Sequence, residues 1–396
     1  MSEKQWSPQQ AAALTAVRNW LARTGYKSDA QVFYLAGFAG TGKTTLAKHF
    51  AEDYETLFAA YTGKAALQMR KSGIPGASTI HSLLYSLVPP SSKLISELEQ
   101  KIAAAPTAEL IEQLRKARQP QFVLRQDSDI IDADLLVLDE CSMIDEPMAK
   151  DILSFGKPVL VLGDPMQLPP VKGTGYFTAR EPDILLTEIH RQALDNPIIA
   201  LSKHVREGGA IPYNFADNVK RLRPGEFAPH YARDASQIIC GKNATRREWN
   251  RRMRAALGFT ATYPVAGDKL ICLRNNGELG IFNGMFTEAT SDASPVVNYS
   301  IKVPMLTELG RELENVPCLS TVFDGIDTDK SPCPYWRLRE LEQFDYGYCI
   351  TVHKAQGSQF DKLLLVDDKF LVWDKPARTR WLYTAVTRAV ESIVVA

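Results

Sequence analysis

The sequence predicts an α/β protein whose sheets are parallel and divided among more than one domain, and three observations predict it. Short apolar runs alternate with helical patterns through the N-terminal half, the arrangement that gives a parallel sheet with crossover helices. Two of those runs, Leu135-Leu136-Val137-Leu138 and Val159-Leu160-Val161-Leu162, lead into acidic residues. The alternation resumes at Gln237-Ile238-Ile239-Cys240 and again from Gly347 to the last strand. With 396 residues there is room for two or three compact domains, each with its own core.

Ser7-Pro8 opens the first helix, Ser as a favoured N-cap and Pro at the first helical position, and Ala11, Leu14, Val17, Trp20 and Leu21 follow at helical spacing. Gln9 and Gln10 lie in its first turn, where a side-chain amide either reads an adenine edge or is simply solvated. Val32 to Ala36 reads as a buried strand and Leu46 to Phe50 as a helix. The turn between them is Gly37-Phe38-Ala39-Gly40-Thr41-Gly42-Lys43-Thr44-Thr45, the G-x-x-x-x-G-K-T pattern in the setting a phosphate-binding loop requires. Its glycines let the backbone wrap closely around phosphate, its N–H groups point inward, and the helix N-terminus adds a favourable dipole. Lys43 is expected on the β/γ-phosphates and the Thr44 hydroxyl on Mg²⁺. ATP and Mg²⁺ are the implied cofactors.

Leu57 to Tyr61 is a second strand, and Thr62-Gly63-Lys64-Ala65-Ala66 turns into another helix. A short helix opens at Thr79-Ile80-His81. Pro89 to Asp129 changes character, with Pro-Pro-Ser-Ser, two polar helical patterns and the extended-looking Phe122-Val123-Leu124, and reads as an insertion. Asp139-Glu140 ends the next buried strand: Asp139 would hold Mg²⁺ and Glu140 would orient the attacking water. Gly163-Asp164-Pro165-Met166-Gln167 ends the one after, and Gln167 is placed to report on the γ-phosphate. Ligands of open parallel sheets bind at the carboxyl ends of strands, so these groups should share one crevice. Beyond Glu188 to Arg206 a second domain begins. Its helix from Ala244 to Leu257 carries Arg246, Arg247, Arg251, Arg252 and Arg254, either tracking phosphate or forming a solvated face. Pro264 to Phe344, rich in Gly, Pro, Asn and Asp, reads as a small β module.

Composition excludes several classes. With 45% hydrophobic and 23% charged residues the chain is neither disordered nor fibrous. Lys+Arg and Asp+Glu are both 46, which argues against a general polyanion coat while allowing a local basic groove. The six cysteines show no zinc-ligand spacing and are expected to be reduced and packed. There is no apolar signal core and no run near the ~18 apolar residues of a membrane span, so a cytoplasmic protein without membrane contact is expected.

Asp139-Glu140-Cys141-Ser142-Met143, Gly163 to Pro170, and Leu186-Thr187-Glu188-Ile189-His190-Arg191-Gln192 resemble successive motifs of superfamily 1 DNA helicases, in the RecD and Dda branch. Thr351-Val352-His353-Lys354-Ala355-Gln356-Gly357-Ser358 and Leu382-Tyr383-Thr384-Ala385-Val386-Thr387-Arg388-Ala389 resemble its C-terminal signatures, so the resemblance runs from Gln10 to Arg388. It implies two RecA-like P-loop domains in tandem, residues 1–88 with 129–190 and residues 191–263 with 345–396. A wedge or pin module at 89–128 and an SH3-like β module at 264–344 would interrupt them. The implied activity is ATP-dependent translocation on single-stranded DNA, 5′ to 3′, with unwinding at single-strand/duplex junctions by a monomer serving replication or repair proteins. Arg191 and Arg388 would reach the phosphates from the second domain. Thr62, Gly63, Lys64, Thr79 and His81 would contact DNA on the first domain, Thr351 and His353 on the second. Outside this context each histidine reads as capping or partly buried. Phe122 is the wedge or, alternatively, a packing residue. Gln359 stands where this branch usually has Glu, so no carboxylate role is carried over. Two rivals are a DNA-stimulated translocase that strips proteins with little unwinding, and a slow nucleotide-gated switch.

Overall fold

In the computed structural model of the chain, residues 6–23, 31–88, 91–105, 107–117, 121–169, 175–188 and 196–396 are described. The apolar runs of the first half become β1 (Val32–Gly37), β2 (Thr56–Ala60), β3 (Ser78–Thr79), β4 (Tyr85–Val88), β5 (Gln121–Leu124), β6 (Leu135–Asp139), β7 (Val159–Gly163) and β8 (Ile184–Leu186). Six of them form an all-parallel sheet in the order β3-β2-β6-β7-β1-β8. No residue of Leu135–Leu138 or Val159–Leu162 is more than 1% exposed, because helices cover both faces. Alternate residues serve the two layers: Leu135, Val137, Leu160 and Leu162 pack with Val17, Leu46 and Phe50 of one layer. Leu136, Leu138, Val159 and Val161 pack with Met148 and Ile152 of the other. Each such side chain contributes ~1.5–3 kcal/mol of burial. The order β6-β7-β1 sets the ends of three strands, at Asp139, Gly163 and Gly37, side by side, with Ala36 in register with Gly163.

The insertion combines helices with extended strand. Its helices Ser92–Ala104 and Ala108–Ala117 lie between β4 and β5, which pair antiparallel with Leu87 opposite Phe122. The outgoing strand therefore begins at Tyr85, before the expected boundary at Pro89.

The second half supplies β9 (Asn214–Ala216), β10 (Val219–Arg221), β11 (Gln237–Cys240), β12 (Lys269–Cys272), β13 (Phe286–Ala289), β14 (Ser300–Thr307), β15 (Glu312–Leu319), β16 (Phe344–Tyr346), β17 (Cys349–Thr351), β18 (Phe360–Val366) and β19 (Ala389–Val395). Its main sheet, β17-β11-β18-β19-β10-β9, is parallel except at the β9 edge. The strands between β12 and β16 form a separate antiparallel sheet, β15-β14-β13-β12-β16. Because Leu270 pairs with Tyr346, this module extends past Phe344 to Tyr346. All six cysteines are buried and free. Among the described residues no helix is long and apolar enough to cross a membrane.

Candidate active site

The turn after β1 is shaped by Gly40 (φ 78°) and Gly42 (φ 84°), both in the left-handed region that L side chains rarely adopt. Gly42 caps the helix Lys43–Ala51. Thr41 is fully buried, and its hydroxyl donates to the Phe38 carbonyl at 2.8 Å, tying the loop to itself. Lys43 Nζ donates to the carbonyls of Gly37 and Phe38 at 2.5 and 3.2 Å, so the lysine lies folded over the loop. The loop opens on a cavity of about 400 Å³ lined by Ala39, Gly40, Gly42, Lys43, Thr44 and Thr45 of the loop, with Asp139, Glu140, Gln167 and Arg388.

Gln10 ties the first helix to the loop. Its carbonyl accepts the Ser7 N–H at 3.1 Å in a capping box, its amide donates to the Thr41 carbonyl at 3.1 Å, and it is 3% exposed. Each end of the amide makes one bond and retains a second donor or acceptor position, so Gln10 braces the first helix against the loop. Neighbouring Gln9 accepts the N–H groups of Thr187 and Glu188, tying the same helix to the end of β8.

At the end of β6, Glu140 holds φ 53°, uncommon for a residue with a side chain. Its N–H donates to Asp139 Oδ1 at 2.8 Å, and the Thr44 side chain hydrogen-bonds Asp139. Burial pushes both carboxyls above their ordinary range; Lys43 opposes this at Asp139, and at Glu140 the Arg388 charge opposes it while Asp139 adds to it. Gln167 is fixed by its N–H on the Asp164 carbonyl at 3.1 Å, and its side-chain oxygen is buried with no partner among the described residues. A phosphate-loop lysine resting on carbonyls, an orphaned amide oxygen, and a hydroxyl–carboxylate pair fit a magnesium nucleotide.

The second parallel sheet closes the other side. Arg388, 5% exposed, donates to the carbonyls of Thr384 and Ser358 and to Thr387 Oγ1, which aims a fixed guanidinium into the cavity. Leu168 bridges the sheets, its N–H on Thr384 Oγ1 at 3.0 Å and its carbonyl accepting from Gln356 Nε2 at 2.9 Å. Gln359 accepts from Gln68 Nε2 at 3.3 Å, a cross-sheet contact that needs no charge. The Arg206 guanidinium lies 3.7 Å over the Phe38 ring of the loop. Arg191 lies outside the described residues.

The expected DNA contacts are only partly open. Thr62 and Thr79 each cap a helix, accepting the N–H groups of Ala65 and Ser82. Gly63 is covered: a Cβ there would lie 2.5 Å from the Phe282 ring. Lys64 is ion-paired with Glu308 of the antiparallel module, its side chain 14% exposed. Both are therefore shielded in this arrangement. His81 sits between Tyr61 and Tyr85 and His353 against Phe370, and burial lowers the affinity of both rings for a proton. Thr351 ends β17 and accepts the Lys354 N–H. Phe122 lies on β5; its side chain is outside the described residues. The arginines after Ala244 are each paired within the protein: Arg246 with Asp345, Arg247 with Asp327, Arg251 and Arg252 with Glu248, Arg254 with Asp268. Arg251 and Arg252 share one carboxylate and are 73% and 58% exposed, so the helix keeps a solvated basic face.

A phosphate-loop motif, paired carboxylates and an arginine from a second parallel sheet thus line one cavity of an α/β P-loop protein. The family model described as an AAA domain matches residues 6–225, more than half of the chain, and the chain belongs to that family. A model described as a UvrD-like helicase C-terminal domain matches residues 346–396. The ATP-dependent RecD2 DNA helicase of Deinococcus radiodurans is 29% identical over 373 residues, 90% of this chain and 45% of that protein. An uncharacterized protein of Methanocaldococcus jannaschii is 30% identical over 142 residues, 32% of this chain and 10% of that one. The chain thus spans less than half the length of the curated relatives it matches. In fold it is similar to Bacteroides Pif1 bound to ssDNA, with a TM-score of 0.55, 17% identity, and 99% and 92% of the two chains covered. It is also similar to the Pif1 helicase of Candida albicans, with a TM-score of 0.51, 18% identity, and 99% and 94% covered.

Asp164 and Gln68 line this cleft and Tyr383 and Arg206 contact its loop, roles that their spacing in the sequence does not announce. Asp164 and Tyr383 stand inside recognised motifs, which was the available signal; Arg206 and Gln68 carry none.

Proposed function

We propose that the chain is an ATP-dependent DNA helicase that translocates 5′ to 3′ on single-stranded DNA and separates duplex by closure of two RecA-like domains. The observation that carries it is the meeting of the loop, Asp139 and Glu140 from one sheet with the Arg388 guanidinium from the other, in one cavity. The name of the RecD2 relative supports the same activity. When bound, magnesium ATP supplies the phosphoanhydride whose hydrolysis drives movement. The loop N–H groups and Lys43 would hold the phosphates, and Thr44 with Asp139 would hold Mg²⁺, which would neutralise phosphate charge. Glu140 orients and accepts a proton from water, Gln167 offers its free amide oxygen to that water or its N–H to phosphate, and Arg388 stabilises charge that builds on the phosphoryl oxygens. Arg191 is proposed, on its motif, as the second arginine.

The two parallel sheets are read as the two RecA-like domains, the ribbon with its helices as a pin module carrying Phe122, and the antiparallel sheet as an SH3-like module. Thr62, Thr79, His81, Thr351 and His353 are read as the DNA face, which Lys64 and Gly63 join once Glu308 and Phe282 withdraw. The protein is proposed to act as a monomer in replication or repair.

ATP turnover with and without single-stranded DNA, together with strand displacement on 5′-tailed, 3′-tailed and blunt duplexes, tests the reading. Stimulated turnover and displacement of the 5′-tailed duplex are expected, and both should vanish in Lys43→Ala. Turnover indifferent to DNA would overturn the helicase; normal hydrolysis by the Lys43 variant would overturn the site.

A further inference from the structure

Ala39, a loop residue expected to serve phosphate, already has a partner. Its N–H donates to the Tyr383 hydroxyl at 2.9 Å, and that hydroxyl donates to Asp164 Oδ2 at 2.6 Å. Tyr383 is fully buried on the helix Lys375–Val386 of the second sheet. It reaches two segments of the first, the loop after β1 and the end of β7. A phenol has one proton to give and lone pairs to accept with, and both capacities are used here. Burial and the neighbouring Asp164 charge hold the phenol far above its usual range, so it stays a protonated donor. Asp164 accepts that hydrogen bond, its other oxygen accepting the Met166 N–H at 3.0 Å, which leaves a phenol lone pair facing Ala39.

Ala39 lines the nucleotide cavity, and the N–H groups of such a loop are what cradle phosphate. A neutral oxygen thus stands on an N–H that an anionic oxygen would bind more strongly. We propose that Tyr383 is a positioning residue: its hydroxyl occupies the Ala39 N–H in the nucleotide-free protein, holds the loop in shape, and yields that N–H to a terminal phosphate. The second sheet then registers a triphosphate through the loss of this link. The proposal rests on the ATP-site reading above.

Tyr383→Phe keeps the ring and removes the hydroxyl. Without nucleotide, hydrogen exchange at Ala39 should be faster in this variant than in the wild type, and the two should match with a non-hydrolysable triphosphate bound. The variant should bind that triphosphate ~3–10-fold more tightly, the worth of one modest hydrogen bond no longer competed away, while ADP affinity stays within about twofold. Unchanged exchange, or triphosphate binding equal to or weaker than wild type, would overturn the proposal. Thermal unfolding checks the variant's fold. A second measurement keeps the hydroxyl: 3-fluorotyrosine placed at position 383 should shift its ¹⁹F signal with triphosphate and not with ADP, and a signal unmoved by triphosphate overturns the proposal independently. Wild-type protein that binds no triphosphate overturns both readings; wild-type binding with an unaltered Phe variant overturns this one alone.

Discussion

At the scale of single residues, the cleft concentrates groups that a folded chain ordinarily avoids. Glu140 is left-handed without being glycine, Gln167 has a buried oxygen without a partner among the described residues, and two neighbouring carboxyls share one wall. Costs of this kind gather where a ligand completes the site. Lys269 is a different case, a lysine outside the cleft. Burial, reinforced by the Lys64 charge, lowers its ammonium to about 8, while its Nζ donates to the Ser236 carbonyl and Gln237 Oε1 at 2.9 Å. A neutral amine still has two N–H groups for those two acceptors. Because the unfolded chain holds the proton up to its higher value, the cost is absent above the unfolded pKa, grows as pH falls toward 8, and is complete below that. Wild-type stability should therefore rise relative to Lys269→Met by ~2–3 kcal/mol between about pH 7 and about pH 10. Denaturant melts of the two proteins at both pH values read this, and parallel pH profiles would contradict it.

At the scale of elements, the antiparallel module does more than decorate the second half. Phe282 covers Gly63, Glu308 holds Lys64, and Asn283 holds Lys354, so one module touches a motif from each parallel sheet. If Lys64 serves phosphate once released, Glu308→Ala should raise affinity for single-stranded DNA ~3-fold at low salt and steepen the salt dependence by up to about one ion. Fluorescence anisotropy across a salt titration measures both quantities; an unchanged slope would remove Lys64 from the DNA face. Here the sequence was a poor guide. The helix after Ala244 shows five arginines, but Asp345, Asp327 and Asp268, the acids that neutralise three of them, lie well away in the chain. Likewise the change in composition places the insertion's start at Pro89, and only the pairing of β4 with β5 moves its outgoing strand back to Tyr85.

At the scale of the whole molecule, the site exists because two sheets present their strand ends and motif helices to each other. Arg388 belongs to the second and contributes to the first only across the cleft. Arg388→Ala should lower ATP turnover ~10³-fold or more, with nucleotide affinity held within about threefold, in a variant whose thermal unfolding shows it folded. Turnover within about tenfold of wild type would show that the guanidinium does not act there.

The sequence by itself determined the local parts: the strand-loop-helix around Lys43, the acidic ends of β6 and β7, the motif order and the α/β class. These are legible because loop geometry, hydrophobic periodicity and strand termination depend on residues close together in the chain. Only the tertiary structure decided what those parts face. Gln10 became a brace when Thr41 arrived beside it, Lys64 found Glu308, and Tyr383 came to rest on Ala39 and Asp164. Each partner is remote in sequence, and a hydrogen bond or ion pair of a few ångströms is fixed by how sheets pack and not by the spacing of residues along the chain.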